Sequence, residues 1–275
     1  MPISIAILLG LIQGLTEFLP VSSSGHLVVF QLLSEGLLGA PKIPLSFDVF
    51  LHLATLLVTL IFLRADIVRV LRYGLTAGER GSWGKSLALL VVIGSLPAAV
   101  VGLCFKEEIE AYFSSLSVVA NGLLVTTAFL VAAHFRQRAA AHKNQTVEFT
   151  ESDGWTLPSV LQAFIIGMAQ ALAILPGISR SGSTIAVALL LGVSADSAVR
   201  YSFFLSIPAI LGATILEANN LLSLTQSVLV SYLAGFLVTC ISGWFAMKWL
   251  IVFTRRSYLL YFAAYTLLLS LFLRF

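Results

Sequence analysis

The segment "GLTEFLPVSSSGHL", residues 14–27, decides the fold because it places polar groups inside an apolar N-terminal stretch. It holds a glutamate, a histidine and three consecutive serines, which neither a signal peptide nor a simple membrane anchor needs. Its proline, Pro20, cannot continue a helix that begins upstream. The segment therefore predicts a helix that breaks within an apolar stretch, with polar side chains at the break.

The composition of the whole chain indicates a membrane protein. Of its 275 residues 59% are hydrophobic and 11% are charged, and the mean hydropathy is +0.99. Because soluble domains usually carry about 25% charged residues, the composition argues against a soluble protein. Apolar runs long enough to span a bilayer recur along the chain, and the short alternating segments of a β-barrel are absent. The chain is predicted to be an all-α polytopic membrane protein.

Three further features of the sequence concern metal binding, nucleic-acid partners and processing. Cys104 and Cys240 lie in separate apolar runs without metal-ligand spacing, so we interpret them as small apolar side chains. The basic residues lie in short loops, so no nucleic-acid partner is expected. The N-terminus has no basic region and no clear cleavage site, so we expect it to be retained.

The apolar segments divide into full spans and broken pairs. Full spans are predicted at 47–63, 86–105, 117–135, 199–217, 227–249 and 257–274. The broken pairs are predicted at 3–34, with pieces 3–19 and 22–34, and at 158–193, with pieces 158–175 and 181–193. The shorter pieces cannot cross a hydrocarbon core of about 30 Å at about 1.5 Å per residue. Since a polar turn at that depth must lie inside the protein or line a wet cavity, we predict two re-entrant helical hairpins.

The two broken pairs are related in sequence. "GLIQGLTEFLPVSSSGH" begins at Gly10, and "GMAQALAILPGISRSGS" begins at Gly167. At this fixed offset the matched pairs are Gly10 and Gly167, Gln13 and Gln170, Leu15 and Leu172, Ser22 and Ser179, Ser24 and Ser181, and Gly25 and Gly182. The prolines, Pro20 and Pro176, are one place out of register. We therefore predict two repeats, residues 1–135 and 158–275, joined by a cytoplasmic loop at 136–157.

The distribution of basic residues predicts the topology. Twelve of the 16 lysines and arginines fall on one side of the predicted spans: Arg64, Arg69, Arg72, Arg80, Lys85, Arg136, Arg138, Lys143, Arg200, Lys248, Arg255 and Arg256. The positive-inside rule places this side in the cytoplasm and both termini outside. Because three spans separate the hairpins, the second repeat is inverted relative to the first. The predicted fold is thus an inverted repeat of a re-entrant helical hairpin plus three transmembrane helices, with six full spans and two re-entrant hairpins.

Three ionisable residues lie at the predicted breaks, namely Glu17, His26 and Arg180. Charged groups at membrane depth cost about 2.5–3.5 kcal/mol each on insertion scales, so they are candidates for function. Gln13 and Glu17 are four residues apart and share one helix face. Their oxygens suit Mg²⁺ or Ca²⁺, so we predict a divalent cation at these two residues.

The residues after each break fit phosphate chemistry. Ser23 and His26 are three apart, a spacing at which an imidazole can take a proton from a nucleophilic hydroxyl. A helix start also offers free N–H groups to an anion. The predicted phosphate ligands are Arg180 with the serines of both segments: Ser22, Ser24, Ser179 and Ser181. Cation, guanidinium, nucleophile and base together indicate phosphoryl transfer.

Structural roles compete with these interpretations. A serine that follows a proline is often only a helix N-cap, which we consider for Ser22. Glu17 and Arg180 are also explained by a structural ion pair, because each is costly to bury alone. His26 is alternatively an interior histidine with both ring nitrogens hydrogen-bonded.

The remaining polar residues in the spans also have structural explanations. Gln13 and Gln170 fit interhelical hydrogen bonding, and for Gln170 we favour this role. Asp48 and His52 share a face at the outer end of a span, where we predict a local pair rather than catalysis.

The two segments also resemble a known family. "QGLTEFLPVSSSGH" and "LPGISRSGST" resemble the two signature segments of the BacA/UppP family, the undecaprenyl pyrophosphate phosphatases. "FDVFLHLATLL" and "RYSFFLSIPAILGAT" are similar to that family as well, so the resemblance covers nearly the whole chain. It implies catalytic roles for Glu17, Ser23, His26 and Arg180, with Ser22, Ser179 and Ser181 in support. The family motif has Glu or Gln four residues before Glu17, and here it is Gln13.

The resemblance implies hydrolysis of undecaprenyl pyrophosphate to the monophosphate in the bacterial plasma membrane. This reaction recycles the lipid carrier for peptidoglycan synthesis and confers bacitracin resistance. We hypothesise that Ser23 attacks the terminal phosphate with His26 as base, while Arg180 and a Glu17-bound cation stabilise the charge. His26 or a metal-activated water is the competing nucleophile. The alternative function is a lipid-phosphate transporter or flippase, since inverted repeats with broken helices also build transporters. A homodimer is left open.

Overall fold

The computed structural model describes residues 1–39, 41–73, 79–142, 155–256 and 258–275. Within these ranges the regular structure is entirely helical. The helices are α1 (Ile3–Phe18), α2 (Ser23–Leu38), α3 (Leu45–Phe62), α4 (Arg64–Tyr73), α5 (Glu79–Cys104), α6 (Lys106–Tyr112), α7 (Leu116–His142), α8 (Val160–Leu172), α9 (Arg180–Leu190), α10 (Ala195–Leu216), α11 (Ala218–Leu222), α12 (Gln226–Arg255) and α13 (Leu259–Phe272).

Five helices in the described ranges are long and apolar enough to cross a membrane: α3, α5, α7, α10 and α12. This is the architecture of a polytopic membrane protein. The sixth predicted span, 257–274, is α13, which has only 14 residues, and residue 257 itself lies outside the described part. At about 1.5 Å per residue α13 is about 21 Å long, which is shorter than a hydrocarbon core of about 30 Å. Five of the six predicted spans therefore meet the length criterion, and the crossing of the sixth stays a prediction.

Both predicted breaks are present. α1 ends at Phe18, and α2 begins at Ser23, after Pro20. α8 ends at Leu172, and α9 begins at Arg180. Each second piece starts with a serine N-cap: the Ser22 hydroxyl accepts from the Gly25 N–H at 3.2 Å, and the Ser179 hydroxyl accepts from the Gly182 N–H at 3.0 Å. The chain therefore restarts a helix directly after each break.

The two long polar segments are more helical than predicted. α7 continues to His142, into the predicted loop 136–157, of which residues 143–154 lie outside the described part. The segment 64–85 contains α4 and the start of α5, with 74–78 outside the described part. Alanine, arginine and glutamine favour helix in water as well as in lipid. The change to polar residues therefore indicates where a helix leaves the apolar layer, not where it ends.

Each short helix at a break packs against a long helix of the other predicted repeat. A Cβ on Gly10 of α1 would lie 2.5 Å from the Gly235 carbonyl oxygen of α12. A Cβ on Gly167 of α8 would lie 2.3 Å from the Gly94 carbonyl oxygen of α5. Gly10 and Gly167 are the first matched pair of the sequence repeat, and both permit the backbone approach that small residues allow in membrane proteins.

The two breaks contact each other directly. A Cβ on Gly25 would lie 3.1 Å from the Cα of Gly177, and a Cβ on Gly182 would lie 3.2 Å from the Cβ of Pro20. The second break is also tied to α7, because the buried Thr126 hydroxyl lies 3.0 Å from the Gly177 carbonyl and accepts from the Ser179 N–H at 2.9 Å. These contacts bring the polar ends of α2 and α9 to one place.

Candidate active site

A cavity of about 580 Å³ lies where the two breaks meet. Its polar lining at the breaks is formed by Glu17, Ser23, Ser24, Ser179 and Arg180, and a second charged group, Lys106 with Glu110 and Glu217, also lines the cavity. Its walls are mainly apolar and come from the second halves of α5 and α10, including Ala98, Ala99, Leu103, Pro208, Ala213 and Ile215. A ligand with an anionic head and a long apolar tail would match the polar and apolar parts of this cavity.

Glu17 joins the two breaks chemically. Its Oε2 accepts from the Ser23 hydroxyl at 2.5 Å and from the Gln13 Nε2 at 3.1 Å. Its Oε1 accepts from Nη2 of Arg180, which starts the opposing helix α9. The Glu17 side chain is only 5% exposed, so its charge requires these partners. The structural ion pair with Arg180 is therefore formed, and it lies at the cavity rather than away from it.

Arg180 retains an open donor. Its Nη1 is buried and has no hydrogen-bond partner among the described residues. Because buried polar groups are almost always partnered, a guanidinium nitrogen left open beside a cavity is a candidate ligand for an anion.

The predicted Ser23–His26 pair is not formed. His26 Nδ1 lies 2.7 Å from the Ser22 carbonyl, which only accepts, so this nitrogen carries a hydrogen. In the neutral ring Nε2 is then an acceptor, and it lies 2.6 Å from the Tyr265 hydroxyl. Neither nitrogen is left to accept the Ser23 proton, and His26 does not line the cavity. The contacts are those of the alternative, an interior histidine with both nitrogens hydrogen-bonded, and the Ser23 hydroxyl bonds Glu17 instead.

The four predicted phosphate-binding serines divide into two groups. Ser24 and Ser179 line the cavity. Ser22 and Ser181 do not line it. Ser22 is the N-cap of α2, and the Ser181 hydroxyl donates to the Leu19 carbonyl at 3.3 Å. Ser22 and Ser181 thus connect the ends of the broken helices rather than reaching the cavity.

His52 was missed as a site residue. Its Nδ1 lies 2.7 Å from the Asp48 carbonyl oxygen, so the local pair predicted for these two residues is made through the backbone. The Asp48 carboxylate instead accepts from Gln31. His52 Nε2 lies 3.5 Å from Glu17 Oε2, and both His52 and Asp48 line the cavity. The signal in the sequence that could have identified His52 is its place in a predicted membrane span, four residues after Asp48.

The described side chains around Glu17 and Gln13 are a poor match to a resident metal site. Among the described residues no group of three or more histidine, cysteine, aspartate or glutamate side chains converges to hold an ion. Both carboxylate oxygens of Glu17 already accept hydrogen bonds, one of them from the cationic Arg180. Gln13 has a buried Oε1 without a partner in the described part, but Gln13 does not line the cavity. The predicted pair Glu17 and Gln13 is therefore a poor donor set for Mg²⁺ or Ca²⁺.

The interhelical role considered for the two glutamines is wrong. Gln13 donates to Glu17, four residues away in its own helix. Gln170, its match in the second segment, has no hydrogen-bond partner among the described residues on either amide atom, although it is buried.

Comparison with known proteins identifies the family of the chain. The family described as "Bacitracin resistance protein BacA" matches residues 6–272. The chain is similar to proteins named undecaprenyl-diphosphatase from Carboxydothermus hydrogenoformans, at 37% identity over 96% of this chain and 94% of that protein, and from Methanobrevibacter smithii, at 39% identity over 94% and 92%. A third relative of that name, from Desulfosudis oleivorans, is 42% identical over 96% of this chain and 94% of its own length. The chain therefore belongs to the BacA family, as its two signature segments predicted.

Proposed function

We propose that the protein is an undecaprenyl-diphosphatase that hydrolyses undecaprenyl diphosphate to undecaprenyl phosphate and phosphate. One observation carries this proposal: the Ser23–Glu17–Arg180 chain of contacts lies in the polar lining of a long, mainly apolar cavity. Several relatives that share 37–42% of its residues over nearly the full chain bear that name. Removal of the diphosphate form of the lipid carrier fits the family description, bacitracin resistance, and a role in recycling the carrier for cell-wall synthesis.

The first chemical step uses Ser23 and Glu17. The Ser23 oxygen attacks the terminal phosphorus while its proton passes to Glu17 Oε2, which is 2.5 Å away. The bond between the terminal phosphorus and the bridging oxygen breaks, and undecaprenyl phosphate leaves with that oxygen. Glu17 thus takes the role first given to His26.

The second step regenerates the enzyme. The proton that Glu17 took in the first step leaves with undecaprenyl phosphate, which restores the carboxylate. Water then attacks the phosphorus of phosphoserine 23 and passes a proton to Glu17. Glu17 returns this proton to the Ser23 oxygen as the bond between that oxygen and the phosphorus breaks, and inorganic phosphate leaves. Arg180 stabilises the charge on the phosphoryl oxygens in both steps, because its Nη1 is a donor left open in the described structure. His52, 3.5 Å from Glu17, supports the carboxylate position.

A divalent cation enters this proposal as a companion of the substrate. Diphosphate oxygens bind Mg²⁺ or Ca²⁺ themselves, whereas Glu17 and Gln13 do not form a closed site. The cation neutralises charge on the diphosphate when it is bound. The proposed proton transfers rest on Ser23 and Glu17.

We also infer the inverted arrangement and its orientation. The matched glycines Gly10 and Gly167 each contact a long helix of the opposite repeat, which supports two repeats inserted from opposite sides. The cavity is walled by the ends of α3, α5 and α10 that are remote from the basic segments. With those segments in the cytoplasm, the cavity opens toward the outer side.

The function is tested by phosphate release from undecaprenyl diphosphate by purified protein, with and without EDTA. We expect release in the presence of Mg²⁺ or Ca²⁺ and a strong loss after chelation. Absence of release by folded protein with cation, combined with movement of lipid phosphate across vesicles, would favour the transporter alternative instead.

A further inference from the structure

Gln170 is a buried amide at the cavity that the proposed chemistry does not use. It lies in the last turn of α8, lines the cavity and is 2% exposed. Neither its Nε2 nor its Oε1 has a hydrogen-bond partner among the described residues. Leaving a buried amide without partners is costly, and a ligand oxygen that reached this amide from the cavity would remove that cost.

The sequence repeat explains why this amide is free. Its match, Gln13, donates to Glu17, four residues later in the same helix. Four residues after Gln170 the chain has Ile174, which offers no acceptor in its side chain. The second repeat thus keeps the buried amide but lacks the carboxylate that holds it in the first repeat.

The neighbouring cavity walls offer no replacement partner. Ala173 and Ile174 line the cavity next to Gln170 along the chain, and Ala98 and Ala99 line it from α5. The Ser95 hydroxyl, also on α5, donates to a carbonyl of its own helix. Among the buried side-chain atoms of the described residues that line the cavity, Nη1 of Arg180 is the other donor without a partner.

We propose that Gln170 is a substrate-binding residue whose Nε2 donates to a non-bridging oxygen of the diphosphate, beside the donor of Arg180. This rests on the proposed function and adds a headgroup contact from the second repeat that does not involve the Ser23–Glu17 pair. A neutral amide adds a directional donor without adding charge. It therefore orients the headgroup in a site where Arg180 already supplies the cation.

The test compares three variants of α8 with the wild type. Gln170→Leu removes both amide groups, and Gln170→Glu keeps the shape but places a carboxylate against the diphosphate. Gln162→Leu is the matched control, since Gln162 caps the start of the same helix and lies outside the cavity. Phosphate release from undecaprenyl diphosphate and the melting temperature of the ligand-free protein are measured for each.

Opposite changes are expected for Gln170→Leu. Its kcat/KM falls by about 10–100-fold, the usual effect of losing a hydrogen bond to a charged group. Its ligand-free melting temperature rises, because an unpartnered amide is removed from the interior. Gln170→Glu loses more activity than Gln170→Leu, whereas Gln162→Leu lowers the melting temperature and keeps the wild-type kcat/KM.

The outcomes separate this inference from the function itself. Wild-type activity in either Gln170 variant, or a lowered melting temperature in Gln170→Leu, would overturn the role of Gln170 while the phosphatase stands. If Gln170→Leu does not fold, the kcat/KM of Gln170→Glu alone tests the role of Gln170: a loss supports it, and a wild-type value overturns it. A wild-type protein without phosphatase activity would reject the proposed function instead.

Discussion

At the scale of single residues, Glu17 connects the two halves of the site. Its carboxylate accepts from Ser23 on the first broken pair and from Arg180 on the second. A buried carboxylate is costly without partners, and a buried guanidinium is equally so. The ion pair thus offsets the cost of burying either residue. The same carboxylate places Ser23, the proposed nucleophile, near Arg180, the proposed anion ligand.

The open donor of Arg180 predicts that lysine cannot replace arginine. In Arg180→Lys the ammonium can pair with Glu17, but the guanidinium fork that also reaches a phosphoryl oxygen is lost. We expect kcat/KM to fall by about 10–100-fold while the protein stays folded. Arg274→Lys is the control, because Arg274 bonds Asn121 at an exposed site. Near-wild-type kinetics for Arg180→Lys would contradict the bidentate role.

The two hydrogen bonds of His26 predict a cost in stability. In His26→Ala the Ser22 carbonyl and the Tyr265 hydroxyl both lose a partner. We expect a loss of about 1–3 kcal/mol in the free energy of unfolding, measured by chemical denaturation in detergent. Tyr265→Phe removes only one of the bonds and is expected to cost less. If His26→Ala is inactive but its free energy of unfolding is unchanged, His26 acts in the chemistry rather than in stability.

The identity of the site residues was more predictable from the sequence than the contacts among them. The sequence placed Glu17, Ser23 and Arg180 together because each is an ionisable or nucleophilic group at a break. It could not assign the base, since a spacing of three residues permits a contact between Ser23 and His26 but does not require it. His52 was missed because its approach to Glu17 depends on how α3 packs, which local spacing does not reveal.

At the scale of elements, the helix breaks were the most predictable feature. Pro20 and the "PGISRSGS" segment end their helices for backbone reasons that act locally. Helix ends in polar segments were less predictable, and α7 continues seven residues beyond its predicted end at 135. Polarity reports the environment of a residue, whereas alanine and arginine remain helical in either environment.

The tight approach of the second break to α7 predicts a strong effect of Gly177→Ala. Gly177 has φ +92, and a Cβ there would lie 2.2 Å from the Val119 carbonyl oxygen. The turn must move, and Arg180 at the start of α9 moves with it. We expect a lowered melting temperature and a loss of kcat of at least about 100-fold, since displacements of about 1 Å have such effects.

Gly36→Ala is the matched control for this turn. Gly36 lies within α2, and a Cβ there would meet nothing within 4 Å. We expect unchanged activity and a gain of about 0.5–1 kcal/mol in stability from better helix propensity. Equal tolerance of both substitutions would show that the contact between Gly177 and α7 does not position the site.

At the scale of the whole molecule, the distribution of basic residues and the packing of the helices bear on topology independently. Charge predicts the two sides, and the contacts at Gly10 and Gly167 support the proposed relation between the two repeats. Five of the six predicted spans are long enough to cross the bilayer, whereas α13 has only 14 residues. The pattern thus predicted the polytopic helical architecture, and the inverted repeat and the crossing of α13 stay predictions.

The proposed orientation predicts labelling from opposite sides. In a background with Cys104 and Cys240 replaced by alanine, a cysteine at Lys42 should react with an impermeant maleimide added to intact cells. A cysteine at the exposed Arg138 should react only after the membrane is opened. The reverse labelling pattern would show that the topology is inverted and that the cavity opens toward the cytoplasm.

The central claim is that Ser23, activated by Glu17, attacks the diphosphate held by Arg180. The most direct measurement is rapid acid quenching of enzyme with undecaprenyl diphosphate labelled in its terminal phosphate, followed by peptide mapping. The account predicts acid-stable phosphate on Ser23, with no labelled enzyme in Ser23→Ala and normal labelling in Gln162→Leu. Phosphate on His26, or turnover by Ser23→Ala at the wild-type rate, would contradict it.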